Sequence, residues 1–434
     1  MHVITDATVI PMDRERALAH HDVLVDDGRI LDVVPTGGAL PDGCTQIDGA
    51  GRFLIPGLID AHVHFLRGET LVNDALQELY LINGSTSVLC LDGFDEVLER
   101  QQAVAAGERF GPTIFSSGPI HNEAELDYDG GRAAAISEAA TGYTFVKVYN
   151  DLTVEGYGGL VDGAREAGIR VLGHVPRAPG LGGVFASGQV SIVHAEEFLY
   201  THFGYSVGAK TDWRAGGTTS LAALPALCAR VAELGIVVGP TVRCFFSIWQ
   251  QSQDIAAWTR AEQLDYLPAH LVARWQAPTN RYVDLFKADH CRRNLAEGYW
   301  FQLRLIEELH AAGVPLTAGT DTTVHNVLPD FIHAEIAELA IAGLGSWEAL
   351  KAATVNAAQL IEPGTTRGTI QKGAPADLML LGADPLADVR ATSDIHGVMA
   401  RGEWHDRTAL DARLAALKAA RAEQDAESAV RVAA

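Results

Sequence analysis

The run Pro56-Gly57-Leu58-Ile59-Asp60-Ala61-His62-Val63-His64 decides the reading of this chain. It is a short apolar segment that ends in two histidines two positions apart. Side chains along a strand alternate faces, so His62 and His64 project from the same face and can share one metal ion. An HxH pair alone is a weak signal, because a histidine at a strand end is more often a hydrogen-bonded structural residue. Its weight depends on what other segments bring to it.

Working outward, the text after Pro56 alternates short apolar strands with helical stretches such as DEVLERQQAVAAGERFG. Eight candidate strands can be marked: Leu54–His64, Thr86–Gly93, Pro112–Gly118, Phe145–Asp151, Ile169–Val175, Val190–Glu197, Ile236–Val242 and Pro315–Thr322. Such strand–helix units predict an α/β fold, a (β/α)8 TIM barrel over 56–361. Before it, HVITDATVI, HDVLVDDGRILDVV and TQIDGAGRFLI read as strands with a hairpin signal at Asp27-Gly28. Strand signals return after Ile361, so 1–55 and 362–410 are expected to form a small composite β-sandwich domain, with 411–434 as a helical tail. One interval breaks the rhythm. The stretch from Val242 to Pro315 carries an insertion, about 243–300, holding Trp249, Trp258, Trp275 and Trp300, which reads as a helical excursion, an oligomer interface or a lid over the barrel mouth.

Composition narrows the function. With 33 Lys+Arg against 55 Asp+Glu the formal charge is -22, which disfavours nucleic acid and anionic membrane as partners. No apolar run reaches the length of a spanning helix and no signal-peptide pattern opens the chain, so a cytoplasmic protein is expected. The five cysteines, Cys44, Cys90, Cys228, Cys244 and Cys291, contain no CxxC pair and read as small buried residues in a reduced protein. Gly180–Gly183 lacks the spacing of a dinucleotide-binding loop.

The other strand ends supply the missing weight. Lys147, His174, His194 and Asp321 lie on predicted strands four, five, six and eight, near the carboxyl ends where such barrels place their chemistry. Asp321 could instead cap the following helix. Lys147 sits in Phe145-Val146-Lys147-Val148-Tyr149, where burial would cost a free ammonium several kcal/mol. Burial favours the neutral amine, the form that can take up CO2 as a carbamate, an anionic ligand suited to bridging two cations.

The HxH after PGLIDAH, the strand-four lysine, the two single histidines and the GTD of the last strand together resemble the amidohydrolase superfamily, in its imidazolonepropionase-like and zinc-dependent dipeptidase (prolidase-like) branch. HDVLVDDGRI, EALKAATVNAAQLI and GTIQKGAPADLMLL extend the resemblance over nearly the whole chain. The resemblance implies two divalent metal ions, zinc expected. His62, His64 and Asp321 would hold the more buried ion, His174 and His194 the second, and carboxylated Lys147 would bridge them. It implies hydrolysis of an amide bond by a metal-bridging hydroxide, with Asp321 as general base and then general acid. It also implies a small-molecule amide substrate (a dipeptide, an N-acyl amino acid or, given the tryptophan-rich insertion, a bulky aromatic amide) and a homo-oligomer.

Secondary candidates are Tyr200, placed where related dipeptidases hold a tyrosine near the substrate carbonyl, Arg243 as a partner for a substrate carboxylate, and His325, with His333 and Glu335, as supporting residues. Alternatives within the superfamily are hydrolysis of a cyclic amide or lactone and deamination; deaminases usually work with one metal and do not require the lysine. A distant alternative is a serine hydrolase using Ser206 of Gly204-Tyr205-Ser206-Val207-Gly208, a pattern that requires a strand before it and a helix after.

Overall fold

The computed structural model describes residues 1–204, 206–208, 221–258, 262–276, 280–323 and 328–433. The chain opens with β1 (His2–Val9), β2 (Leu18–Asp26), β3 (Arg29–Pro35), β4 (Thr45–Asp48) and β5 (Phe53–Pro56). Asp27 and Gly28 both take positive φ, 46° and 69°, and make the tight turn between β2 and β3. The barrel strands follow as β6 (Leu58–Val63), β7 (Ser85–Cys90), β8 (Thr113–His121), β9 (Phe145–Val148), β10 (Arg170–Gly173), β11 (Ser191–Val193) and β12 (Val237–Gly239). The last strands are β13 (Leu378–Leu381), β14 (Ile395–Ala400) and β15 (Glu403–Asp406).

The two ends of the chain share one sheet, in the order β15-β14-β13-β5-β1-β2-β3, with β4 paired to β1 beside that path. Strand β5 is the seam: it lies parallel to β1 and antiparallel to β13. Ile4, Val23, Val25, Ile30, Leu54, Leu378 and Met399 form the apolar core of this sheet. One residue beyond Pro56 the chain enters β6, so the end of the sheet fixes where the barrel begins.

Strands β6 to β12 pair in parallel in chain order. Both faces of β6, β7 and β9 are buried, which is why their sequences read as near-continuous apolar runs. The helices between them start at ordinary caps: Asp127 accepts from Gly130 N and Thr153 from Gly156 N. The (β/α)8 reading holds with one departure. The eighth segment, Pro315–Thr322, is not a continuous strand, but closes the barrel through isolated parallel bridges of Leu316 to Val238 and Thr322 to Val63. Ala61 N donates to Ala318 O at 3.0 Å and Asp321 N to His62 O at 2.8 Å. Asp321 has φ 59°, a left-handed conformation that interrupts regular pairing.

The chain from Val242 to Ala311 is largely helical, with helices at Val242–Gln253, Ala269–Trp275, Arg281–Leu285 and Asp289–Ala311. Trp275, only 5% exposed, packs with Leu264, Leu267 and Leu271 against Val63, Phe65, Val72 and Tyr80. This part of the insertion extends the barrel's own core. Trp300 is 65% exposed, Trp249 is half-buried, and the side chain of Trp258 lies outside the described residues. The final helix runs from Arg407 to Ala433 and docks by Arg413, whose guanidinium lies 3.5 Å from the Phe110 ring centre. Among the described residues no helix is long and apolar enough to cross a membrane.

Gly319 lets the eighth segment press against β6: a Cβ there would sit 2.7 Å from His62 Cβ and 3.1 Å from His62 N. Gly319→Ala is therefore expected to cost about 1–3 kcal/mol in chemical denaturation, as overpacked positions do, and to weaken metal binding by displacing His62. A variant with wild-type stability would show that the two segments are free to move apart.

Candidate metal centre

The side chains from five strand ends meet in a cavity of about 330 Å³ whose wall includes His62, His64, Lys147, His174, His194 and Asp321. Each arrives for a local reason. His62 lies within β6, a strand buried on both faces, and His64 follows just beyond its end; both line the cavity. Asp60, fully buried, accepts from His62 N at 3.2 Å, Thr320 N at 3.0 Å and Thr320 Oγ1 at 2.7 Å, and so stitches β6 to the closing segment that carries Asp321. His194, Thr241 and Asp321 all hold positive φ, 70°, 47° and 59°, so uncommon non-glycine backbone conformations gather at the cavity.

The geometry is a crowd of acceptors. His62 Nε2 and His64 Nε2 lie 3.2 Å apart, and each approaches the same Asp321 oxygen, at 3.3 and 3.1 Å. Ligand atoms of His62, His194 and Asp321 lie within 4.8 Å of one another, a grouping able to hold a metal ion. The hydrogen bonds behind the rings fix which nitrogen faces inward. Thr241 Oγ1 donates to Pro240 O at 2.8 Å and so accepts the Nδ1 proton of His194 at 2.6 Å. Glu197 Oε1 likewise accepts from His174 Nδ1 at 2.9 Å. Both rings then present an unprotonated Nε2 to the cavity.

Burial, followed by the nearby Lys147 or imidazoles, pushes His62, His174 and His194 well below the usual histidine range, so the neutral, metal-binding form is favoured. For Asp321, burial acts upward, but the hydrogen bond from His64 and the charges of His194, His64 and Lys147 outweigh it and hold the carboxyl below its ordinary value. Lys147 is 1% exposed, and its Nζ has no hydrogen-bond partner. Burial pushes its ammonium down to about 8 against the pull of Asp321, Glu197 and Asp92. A buried cation without partners is costly, whereas a carbamate on the same nitrogen would be satisfied by cations. The donor set therefore fits divalent metal.

Residues 302–405 match the model of the Amidohydrolase family. An adenine deaminase 2 of Bradyrhizobium sp. (strain ORS 278) is 38% identical over 90 residues, 20% of this chain and 15% of that protein. An adenine deaminase of Chelativorans sp. (strain BNC1) is 34% identical over 88 residues, 20% of this chain and 14% of that protein. The matched stretch thus spans about 15% of the length of these curated relatives. Solved structures are similar over the whole fold. A bottromycin amidohydrolase superposes with TM-score 0.74 at 24% identity, covering 97% of this chain and 90% of that one. An Xaa-Pro dipeptidase with bound methionine in its active site gives 0.70 at 17%, covering 93% and 99%.

The other sequence candidates are placed as follows. Tyr200 lines the cavity and lies under the Arg177 guanidinium at 5.3 Å. Arg243 is directed elsewhere, between Phe246 and Phe331, with Glu338 at 3.6 Å. His333 bonds Thr392 Oγ1 at 3.0 Å, away from the cavity. His325 lies outside the described residues. Ser206 is exposed and follows the helix Glu196–Thr201, not a strand, so the nucleophile-elbow geometry is not met.

Sequence reasoning passed over Asp60, Thr241, Glu197 and Glu196. Glu197 accepts from His174, from Val175 N at 3.2 Å and from both arms of Arg177 at 2.5 and 3.2 Å. The available signal was the carboxylate pair just after His194. Glu335 accepts from Val242 N at 3.1 Å and Arg243 N at 2.7 Å, anchoring the turn that holds Thr241 behind His194.

Two outcomes follow. Glu197→Gln keeps the shape but weakens charged hydrogen bonds to His174 and Arg177, and is expected to lower metal affinity about 10–100-fold in a chelator-competition titration; unchanged affinity would remove Glu197 from that role. Burial pushes the Glu335 carboxyl up from 4.5 to about 8. The unfolded chain releases this proton first, so the stability it contributes is full below about 4.5 and is lost as pH rises to about 8. Glu335→Gln should flatten that decline in denaturant titrations of the metal-free protein across the same pH window; an identical slope would assign the decline to other groups.

Proposed function

We propose that this protein is a metal-dependent hydrolase of amide bonds, binuclear, with zinc as the expected ion and Lys147 carboxylated by CO2. The observation that carries the reading is the buried Lys147 Nζ without a hydrogen-bond partner beside Asp321 and four histidines. His62, His64, His174, His194 and Asp321 would hold the ions, with the Lys147 carbamate between them. Bound divalent ions would make water nucleophilic near neutral pH and polarise the scissile carbonyl.

The chain's own groups do the rest. The Asp321 carboxylate, one oxygen turned toward the histidines and the other receiving the Cys244 thiol at 3.4 Å, would take the proton of the attacking water. It then returns that proton to the leaving nitrogen as the C–N bond breaks and a C–O bond has formed. The cavity wall at Tyr149 and Tyr200 would supply flat surface against which the substrate lies. The fold's similarity to a bottromycin amidohydrolase and an Xaa-Pro dipeptidase supports amide cleavage. The short likeness to adenine deaminases keeps deamination as the alternative outcome of a substrate screen. A homo-oligomer and a cytoplasmic location complete the proposal.

Metal-loaded protein tested against dipeptides, N-acyl amino acids, aryl amides, cyclic amides, lactones and adenine, with metal content measured on the same sample, decides between these. Hydrolysis of an amide with close to two metals per chain is expected. Asp321→Asn should retain metal yet lose at least about 100-fold in turnover, the scale of a lost general base. Near-normal turnover by that variant, or fewer than one metal per active chain, would overturn the mechanism.

A further inference from the structure

Three of the candidate ligands are held by a side chain from another part of the chain. Glu197 accepts from His174 Nδ1 and Thr241 from His194 Nδ1; the third is Asp321, whose Oδ2 receives the Cys244 thiol at 3.4 Å. Cys244 is 4% exposed and is not part of the cavity wall. Nor does its sulfur belong to the group of His62, His194 and Asp321 whose ligand atoms lie within 4.8 Å of one another. The thiol therefore touches the carboxylate without joining the ligand set. An ionised carboxylate carries acceptors alone, so the shared hydrogen is the thiol's.

The backbone around Cys244 explains its aim. Glu335 accepts from Val242 N and Arg243 N and fixes the start of the helix Val242–Gln253. Cys244 N donates to Thr241 O at 3.1 Å, and Ser247 Oγ donates to Cys244 O at 2.6 Å. Thr241 and Cys244 stand three positions apart, the spacing of neighbours along a helix face. One turn thus delivers a hydroxyl to His194 and a thiol to Asp321.

What the thiol does there follows from the shape of an aspartate. The terminal torsion of that side chain is broad and two-fold, so a carboxylate left to itself turns and exchanges its oxygens at little cost. In this cavity Oδ1 faces His62 Nε2 and His64 Nε2 at 3.3 and 3.1 Å, while Oδ2 receives the thiol. A thiol is a weak donor, able to orient the oxygen while leaving its other lone pair open. We infer, resting on the amide-hydrolase reading, that Cys244 is a positioning residue for the reaction: its S–H fixes the plane in which the Asp321 carboxylate meets the metal centre and the attacking water. The proton itself is carried by Asp321.

The test has two arms. The S–H stretch absorbs in an infrared window clear of other protein bands, and its frequency falls when the thiol donates a hydrogen bond. The band that Cys244→Ala removes is expected below the frequency of an unbonded thiol in both the metal-free and the zinc-loaded protein, and should rise towards it in metal-free Asp321→Ala. In turnover of the best amide from the substrate screen, Cys244→Ala is expected to lower kcat about tenfold, the scale of one hydrogen bond, with KM and zinc content unchanged. Cys244→Ser, which keeps a donor, should restore most of that loss, whereas Cys244→Val, which fills the space without a donor, should not. A packing role predicts the opposite order. A Cys244 band at the unbonded frequency in the zinc-loaded protein, wild-type kcat in Cys244→Ala, or Cys244→Ser no better than Cys244→Ala would each overturn the assignment. No amide turnover by zinc-loaded wild type would overturn the hydrolase reading and the role in the reaction with it, an outcome told apart by the lowered band, which would persist.

Discussion

The carboxylate of Asp60 is the interaction on which the site depends. It binds His62 N on the first barrel strand and both the backbone and the hydroxyl of Thr320 on the closing segment. A barrel whose last segment forms only isolated bridges would otherwise have little to hold the final turn in register. Burial pushes this carboxyl up to about 7, against three hydrogen bonds that favour its charged form. The desolvation cost is therefore only partly offset by the bonds that align His62, His64 and Asp321, residues from the first and last segments of the barrel.

Much of this was legible in the sequence because a barrel strand buried on both faces admits polar residues only with a purpose. Histidines, a lysine and an aspartate at the ends of otherwise apolar runs stand out for that reason, and those at His62, His64, Lys147, His174, His194 and Asp321 do line one cavity. The seam of the composite sheet was readable in outline, since strand-like text recurs after the barrel. The irregular eighth segment was not: Pro315–Thr322 is apolar enough to read as a strand, and the positive φ of Asp321 has no signature in a single residue type.

The residues that sequence reasoning missed share one property. Thr241 and Glu197 act on partners that are remote in the chain, so no local spacing marks them. Arg243 shows the converse. Its position after the seventh strand suggested a substrate contact, but the helix that begins at Val242 turns its guanidinium between Phe246 and Phe331 toward Glu338. The immediate helical start, anchored by Glu335 on the first two amides, instead spends that position on holding Thr241 against His194.

The negative charge of the chain, -22 overall, is a poor guide to the cavity. Its carboxylates fall into two groups by what satisfies them. Asp60, Asp321 and Glu197 each receive several donors from histidine rings, hydroxyls, backbone or arginine, and so define the positions of the imidazoles. Glu196 receives none at Oε2. Burial, with the charges of Glu197, Asp321 and Glu335, pushes the Glu196 carboxyl well above its ordinary value, so that part of the wall favours a neutral acid. The same local rule therefore separates them: a buried carboxylate fixes its neighbours when the protein supplies its donors, and is driven toward the neutral acid where it does not.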